Sequence, residues 1–174
     1  RDRFVVTGLY SRFAYLTDNG ATWTSLMTTE FGETMQASEI FIDQSNGNYI
    51  ITGYDDGFGG GMAKYSLDGG ASWFTAISGG STFSVGASNN NGAFIILQNN
   101  GDLYQSNGDI TSWSFLQNIS TTTGGAAYHS DGVWCIAGQT SGGDISFATS
   151  WNWPTFNTDY AGAGTGLRAI CAVE

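Results

Sequence analysis

One kind of run recurs four times along the chain: RFVVTG at Arg3, NYIITG at Asn48, AFIILQ at Ala93 and VWCIAG at Val133. A second run follows each: FAYLTD at Phe13, AKYSLD at Ala63, DLYQSN at Asp102 and DISFAT at Asp144. Then come a turn and a tryptophan-led run: TWTSLM from Thr22, SWFTAI from Ser72, SWSFLQ from Ser112 and NWPTFN from Asn152. The period is roughly 40 to 45 residues, and a repeat of that length built of short alternating strands admits few architectures.

A fourth run precedes three of the units. SEIFID leads through QSNG into the second, FSVGAS through NNNG into the third, and AAYHS through DG into the last. These are hairpins with Asn-Gly and Asp-Gly turns. Four strands per repeat at this period predict an all-β fold: a β-propeller of about four four-stranded antiparallel blades in one domain, 1–174. The repeats run approximately 1–36, 37–82, 83–124 and 125–167. The first unit lacks its leading strand, and RAICAVE at Arg168 has no unit to enter. Written head to tail, AICAVE and RDRFVVTG reproduce the hairpin pattern. The expectation is a closing strand, 168–174, that completes the first blade. The alternatives are two cuts through a longer array or pairing between chains. Thr29 to Ile40 carries helix formers, but Gly32 interrupts them, and the segment reads as a loop leading into a strand.

Composition narrows the partners. Lys and Arg total 5 against 15 Asp and Glu, a formal charge of −10. Nucleic acids and anionic membranes need a basic footprint, so the partners expected are neutral ligands, cations or proteins. No apolar run approaches the roughly 20 residues of a membrane span, so a soluble chain without membrane insertion is expected. The 26 glycines and single proline suit short strands and tight turns. Cys135 and Cys171 sit in apolar runs and read as buried thiols more readily than as a disulfide. The RDRF start, with neither an initiator Met nor a signal peptide, reads as a processed chain or a segment of a longer one.

The stretch SLDGGASW, Ser66 to Trp73, resembles the Asp box of the sialidase-like propellers, Ser-x-Asp-x-Gly-x-Thr/Ser-Trp, at every fixed position. LTDNGATW, with Asp18, Gly20 and Trp23, matches except at Leu16. SNGDITSW keeps Ser106, Ser112 and Trp113, but Gly108 and Ile110 replace the Asp and Gly. SFATSWNW, Ser146 to Trp153, keeps little more than its ends. Such a box is architectural. The Asp accepts backbone N–H groups across its turn, the Gly permits positive φ, and the Trp packs on the sheet. Asp18, Asp68, Gly70 and Trp73 are therefore expected to staple turns. The resemblance also implies that the boxes lie at the blade periphery, opposite the face that carries active sites.

Function is then expected on the other edge, in loops joining second to third strands and loops joining blades. These carry Tyr10, Arg12, Glu30, Glu33, Tyr54, Asp55, Asp56, Phe58, Asp144, Tyr160 and Arg168. Of these, Tyr10, Arg12, Tyr54, Asp55, Phe58, Tyr160 and Arg168 are the candidate ligand-binding residues. A sialidase-like mechanism needs three arginines on one carboxylate, and only Arg12 and Arg168 fall on this edge. A glycosidase pair, such as Glu33 with Asp55 or Asp56, is possible on spacing, but no catalytic residue is assigned. His129 has no second His, and YDDGFGGG lacks the acidic ladder of a calcium loop, so neither metal nor cofactor is expected. The sequon Asn118-Ile119-Ser120 matters only in a eukaryotic secretory route.

The first reading is a non-catalytic binding or assembly module for a glycan or protein surface, acting alone, as a homo-oligomer or in a larger assembly. Low lysine and abundant Asn, Gly, Ser and Thr are similar to phage tail proteins in composition, which suggests an extracellular or virion setting. The alternatives are a sialidase-like hydrolase with a reduced site and an assembly-factor propeller like those of photosystem II. The latter generally have more blades and a basic patch that this acidic chain cannot form.

Overall fold

The computed structural model describes residues 4–8, 12–16, 23–27, 34–119, 123–140, 145–152 and 155–162. Among these residues all regular structure is β. The strands β1 (Phe4–Thr7), β2 (Arg12–Leu16) and β3 (Trp23–Met27) form one antiparallel sheet. The second sheet holds β4 (Met35–Asp43), β5 (Asn48–Asp55), β6 (Gly60–Ser66) and β7 (Phe74–Ser78). The third holds β8 (Phe83–Ser88), β9 (Ala93–Gln98), β10 (Asp102–Asn107) and β11 (Ser114–Asn118). The fourth holds β12 (Thr123–Ser130), β13 (Val133–Gln139), β14 (Ile145–Asn152) and β15 (Thr155–Gly162). Each sheet is a meander in chain order, as the repeat predicts. The closing strand 168–174 lies outside the described residues.

The sheets stack face to face through their first strands, β4 beside β8 and β8 beside β12. This explains why AFIILQ is almost continuously apolar. Along β9, Phe94 and Ile96 join a core shared with Ile50 and Ala63 of the second sheet. Ile95 and Leu97 join another shared with Trp134 and Ile136 of the fourth. A strand covered on both faces has no polar side to alternate. In β5, likewise, Ile50 faces the third sheet while Tyr49 and Ile51 join Met35, Met62 and Trp73 on the other face.

Each first strand of these three sheets carries a bulge near its start. The registers shift across Ala37/Glu39, Phe83/Val85 and Gly124/Ala126. The bulge at Ser38 lets β4 begin at Met35, earlier than the sequence suggests, because Met35 and Gln36 still pair with Asp55 and Tyr54. Burial of Met35 in the core overrides the helix formers around it. At the other end, β15 runs to Gly162, where the sequence suggests a loop, because Tyr160, Ala161 and Gly162 pair with Phe147, Ser146 and Ile145.

Polar side chains key one blade to the next by gripping its backbone. Glu39 Oε2 accepts the Gly86 N–H at 2.8 Å, and Asp43 Oδ2 accepts the Gly92 N–H at 2.6 Å. Gln117 both donates to the Phe156 carbonyl and accepts its N–H, each at 3.0 Å. A Cβ on Gly86 would lie 2.4 Å from the Phe41 ring and 2.7 Å from the Ile95 carbonyl oxygen. Gly86→Ala should therefore lower stability by about 1 to 3 kcal/mol through overpacking. An unchanged urea midpoint would refute the packing.

Burial pushes the Glu39 carboxyl up from 4.5 to about 7, against the opposing pull of the Gly86 N–H. The folded state thus favours the proton. The stability this contributes is complete below pH 4.5 and is lost as pH rises through about 7. Glu39→Gln keeps an acceptor for Gly86 and removes the titration. Its stability relative to the native chain should rise between pH 5 and 8, by on the order of 1 to 3 kcal/mol. Parallel pH profiles for the two proteins would show that Glu39 is an ordinary carboxylate.

Candidate functional site

The two edges of the sheets differ in what they hold. On one lie the first hairpin turns and the turns between third and fourth strands. In the second sheet, Ser66 Oγ accepts the Gly70 N–H at 2.8 Å and donates to Asp68 Oδ1 at 2.8 Å. Asp68 Oδ1 also accepts the N–H groups of Ala71 and Ser72 at 3.0 and 2.9 Å, and its other oxygen accepts the Ser72 hydroxyl. Trp73 Nε1 donates to the Gly70 carbonyl at 3.0 Å, which seats the indole 6.4 Å from the Tyr49 ring. Gly70, with φ at 92°, supplies the left-handed step. Partial desolvation of Asp68 opposes ionisation, but the bonds from Ser72, Ser66 and Ala71 outweigh it and hold the carboxyl down at about 2. The oxygens of Ser66 and Asp68 thus each take part in at least one hydrogen bond within the turn.

The registers locate the corresponding positions in the other sheets. Ser66 pairs with Tyr49, Ser106 with Phe94, Ser150 with Trp134 and Leu16 with Phe4. In the third sheet the aspartate has moved one place along. Asp109 Oδ1 accepts the Thr111 N–H at 2.9 Å and its hydroxyl at 2.6 Å, and these bonds lower its pKa. Trp113 Nε1 still donates three residues back, to the Ile110 carbonyl at 2.7 Å. The sequence motif overlooks Asp109 because it counts positions, whereas the turn needs only an Asx acceptor near its start.

In the fourth sheet the serine in register with Ser66 and Ser106 is Ser150, while Ser146, where the motif alignment begins, pairs with Gly138. Thr155 already pairs with Asn152, so no eight-residue turn fits. Among the described residues Ser150 Oγ is buried without a partner, where Ser66 and Ser106 are both bonded. Trp23 opens β3 opposite Leu16. Asp18, Gly20 and Trp153 lie outside the described residues.

A cleft of about 1050 Å³ opens on this edge, lined by Ile42, Gln44, Tyr49, Leu67 and Asp68 among others. The hairpin turn beside it is held by Asp43, whose Oδ1 accepts the Ser45 N–H and hydroxyl.

On the opposite edge the two loop families meet, as expected. Asp56 N–H donates to the Thr34 carbonyl, Gly79 N–H to that of Gly61, and Ile119 N–H to that of Gly101. Gln98 Nε2 reaches the Gly79 carbonyl at 2.7 Å.

The candidate residues separate here. Asp55, only 3% exposed, turns inward. Its Oδ1 accepts the Thr34 hydroxyl at 2.5 Å and the N–H groups of Gly57 and Phe58 at 2.8 and 3.4 Å. It is a turn lock rather than an open ligand. Tyr54, the last residue but one of β5, is half-buried. Phe58 stands at the tip, 78% exposed, beside exposed Asp56, whose Oδ2 accepts the Gln36 amide at 2.7 Å. Arg12 and Tyr160 fall within strands, opposite Met27 and Phe147, and not on loops. Tyr10, Glu30, Glu33, Asp144 and Arg168 lie outside the described residues. The structure therefore brings Tyr54, Asp55, Asp56 and Phe58 together.

His129 sits on the Trp134 ring at 4.5 Å, and partial burial lowers its pKa against the field of Asp131. Among the described residues no three of His, Cys, Asp and Glu stand close enough to hold a metal ion.

Stacked four-stranded meanders with locked outer turns define a β-propeller. The chain is similar to a chain of YCF48 bound to D1 peptide, with 16% identity, a TM-score of 0.63 and coverage of 88% of this chain and 49% of that one. It is similar to a chain of a nidogen/laminin complex at 10% identity and a TM-score of 0.68, covering 91% and 62%. A third similar chain is YCF48 from Cyanidioschyzon merolae, at 14% identity and a TM-score of 0.62, covering 88% and 51%. The chain thus spans 49% to 62% of their lengths. Identities this low speak for the fold alone. No protein-family model matches the chain, and no curated protein does.

Ser66→Ala should cost about 1 to 3 kcal/mol, because it strands the buried Gly70 N–H. Ser150→Ala, which removes an unpartnered hydroxyl, should be neutral or stabilising. Equal losses in the two variants, measured by urea denaturation, would contradict the assignment of Ser150 as the orphan.

Proposed function

We propose that this propeller is a non-catalytic binding and assembly module that takes a protein partner on the edge bearing the β5–β6 loop. The observation that carries the reading is Phe58: a large apolar side chain left almost wholly in water on a turn whose backbone is fixed by a buried carboxylate. On a fixed backbone an aromatic side chain has only two rotatable bonds to lose on binding, so such rings anchor interfaces. Gly59 N–H closes the turn on the Asp55 carbonyl at 2.8 Å. Exposed Asp56, two residues before Phe58, adds a polar group to the same turn.

Two of the similar folds, in YCF48 with a D1 peptide and in nidogen with laminin, engage peptide or protein partners. This supports a protein over a glycan as the partner class. The Ser66–Trp73 turn supports the narrower reading that the chain is an Asp-box propeller. The setting proposed, extracellular or within a virion, rests on composition.

A photo-crosslinking phenylalanine analogue at position 58 tests the reading. Irradiation in extract of the organism that makes the chain should yield a discrete protein adduct, and the same analogue at Leu67, on the other edge, should not. Phe58→Ala should abolish capture of the identified protein and leave the melting temperature within about 2 °C, as is usual for a surface substitution. A large loss of stability would assign the ring to folding. Retention of a glycan on an array, with no protein adduct, would replace the partner class.

A further inference from the structure

The outer rim between the second and third blades holds more aromatic surface than core packing accounts for. Phe74 opens β7 at 52% exposed, and Phe115 stands on β11 at 55%. Each leans on a tyrosine: Tyr65 with centroids 5.5 Å from Phe74, and Tyr104 5.8 Å from Phe115. Tyr65 from one blade, with Tyr104 and Trp113 from the other, packs against the core that the two blades share. The two half-exposed phenylalanines thus stand on opposite walls of one crevice, each continuing a stack that reaches the core.

Charge decides what such a crevice attracts. Between Met35 and Ile119 the chain carries Glu39, Asp43, Asp55, Asp56, Asp68, Asp102 and Asp109 against one cation, Lys64. Lys64 is only 8% exposed. Glu39 and Asp43 grip the neighbouring backbone and Asp55 locks its loop. Asp102 differs. Two residues before Tyr104 on β10, it shares that wall of the crevice. The amides of Asn100 and Asn118 hold its two oxygens at 2.7 and 2.8 Å, fixing the carboxylate with lone pairs to spare. Its field, after partial burial, helps to raise the Tyr104 pKa.

We infer that this crevice is a docking surface for an arginine-bearing extended segment of a partner protein, with guanidinium groups stacked on Phe115 and Phe74 and one paired to Asp102. A planar guanidinium stacks on aromatic faces and pairs with carboxylates, and it is more weakly hydrated than an ammonium, so arginine fits better than lysine. Phe74 and Phe115 follow the turns between third and fourth strands and so lie away from Phe58, whereas Asp102, next to Gly101, marks the loop-edge end of the crevice. None of the three belongs to the β5–β6 loop, so the inference does not depend on the role of Phe58.

The probe is a fluorescein-labelled, end-blocked peptide alternating arginine with serine, compared with lysine and glutamate versions by fluorescence anisotropy. The arginine peptide should bind several-fold more tightly than the lysine one, and the glutamate one not at all. The double variant Phe74→Leu/Phe115→Leu keeps apolar bulk and removes the rings. It should weaken binding about tenfold, in line with two lost stacking contacts, with circular dichroism and melting unchanged. Asp102→Asn should weaken binding several-fold and flatten its salt dependence, whereas Phe58→Ala should leave it intact. Equal binding of the three peptides, or undiminished binding to the double leucine variant, would overturn the inference. So would loss of binding in Phe58→Ala alone, which would move the peptide to the loop edge and leave the module reading standing.

Discussion

Burial of both faces of a blade by its neighbours, as in the third sheet, is the constraint on which this fold depends. A single four-stranded meander of this length exposes apolar residues on both sides, and neither is covered until another blade stacks against it. Phe94 and Ile96 look one way, Ile95 and Leu97 the other. Stability is then a property of adjacent pairs rather than of single repeats. The bulges in β4, β8 and β12 belong to the same arrangement, since each lets a first strand bend where it meets the next sheet.

Edges follow from faces. Once both faces are covered, open polar backbone is left at the ends of the strands, where turns must bind it internally. One edge does this with serine and aspartate inside a single turn, as at Ser66 and Asp68, so its polar groups are satisfied locally. The other does it by joining neighbouring loops to one another, which leaves the Asp56–Phe58 tip free to project. The difference between the two edges thus reflects where each finds hydrogen-bond partners.

Much of this was legible in the sequence. Strand order, hairpin turns and the stacking of successive sheets follow from period, Asn-Gly turns and apolar runs, because each is a local consequence of backbone geometry. The extension of β4 back to Met35 was not, since it depends on Asp55 and Tyr54 as strand partners some twenty places away. The roles of Asp55 and Asp109 were also hidden. An aspartate in a glycine-rich loop reads alike whether its carboxylate faces water or its own turn, and only the positions of surrounding N–H groups separate the two. The crevice aromatics were missed for a related reason. Tyr65 and Tyr104 stand alike in their runs, but the registers put them one and two places before Ser66 and Ser106, on opposite faces of their own blades. Comparison of repeats therefore does not show them meeting at one seam.

The clasp between Gln117 and Phe156 has a consequence for how such a chain can change over time. One amide supplies both a donor and an acceptor to the main chain of the next blade, and so behaves as a strand one residue long. Glu39 and Asp43 likewise reach N–H groups that every residue except proline possesses. The receiving blade can therefore exchange nearly all its side chains at those points while the joint persists, so long as no added bulk fills the approach, as it would at Gly86. Joints of this kind record geometry and forget residue identity, which accords with shared architecture at 10% to 16% identity.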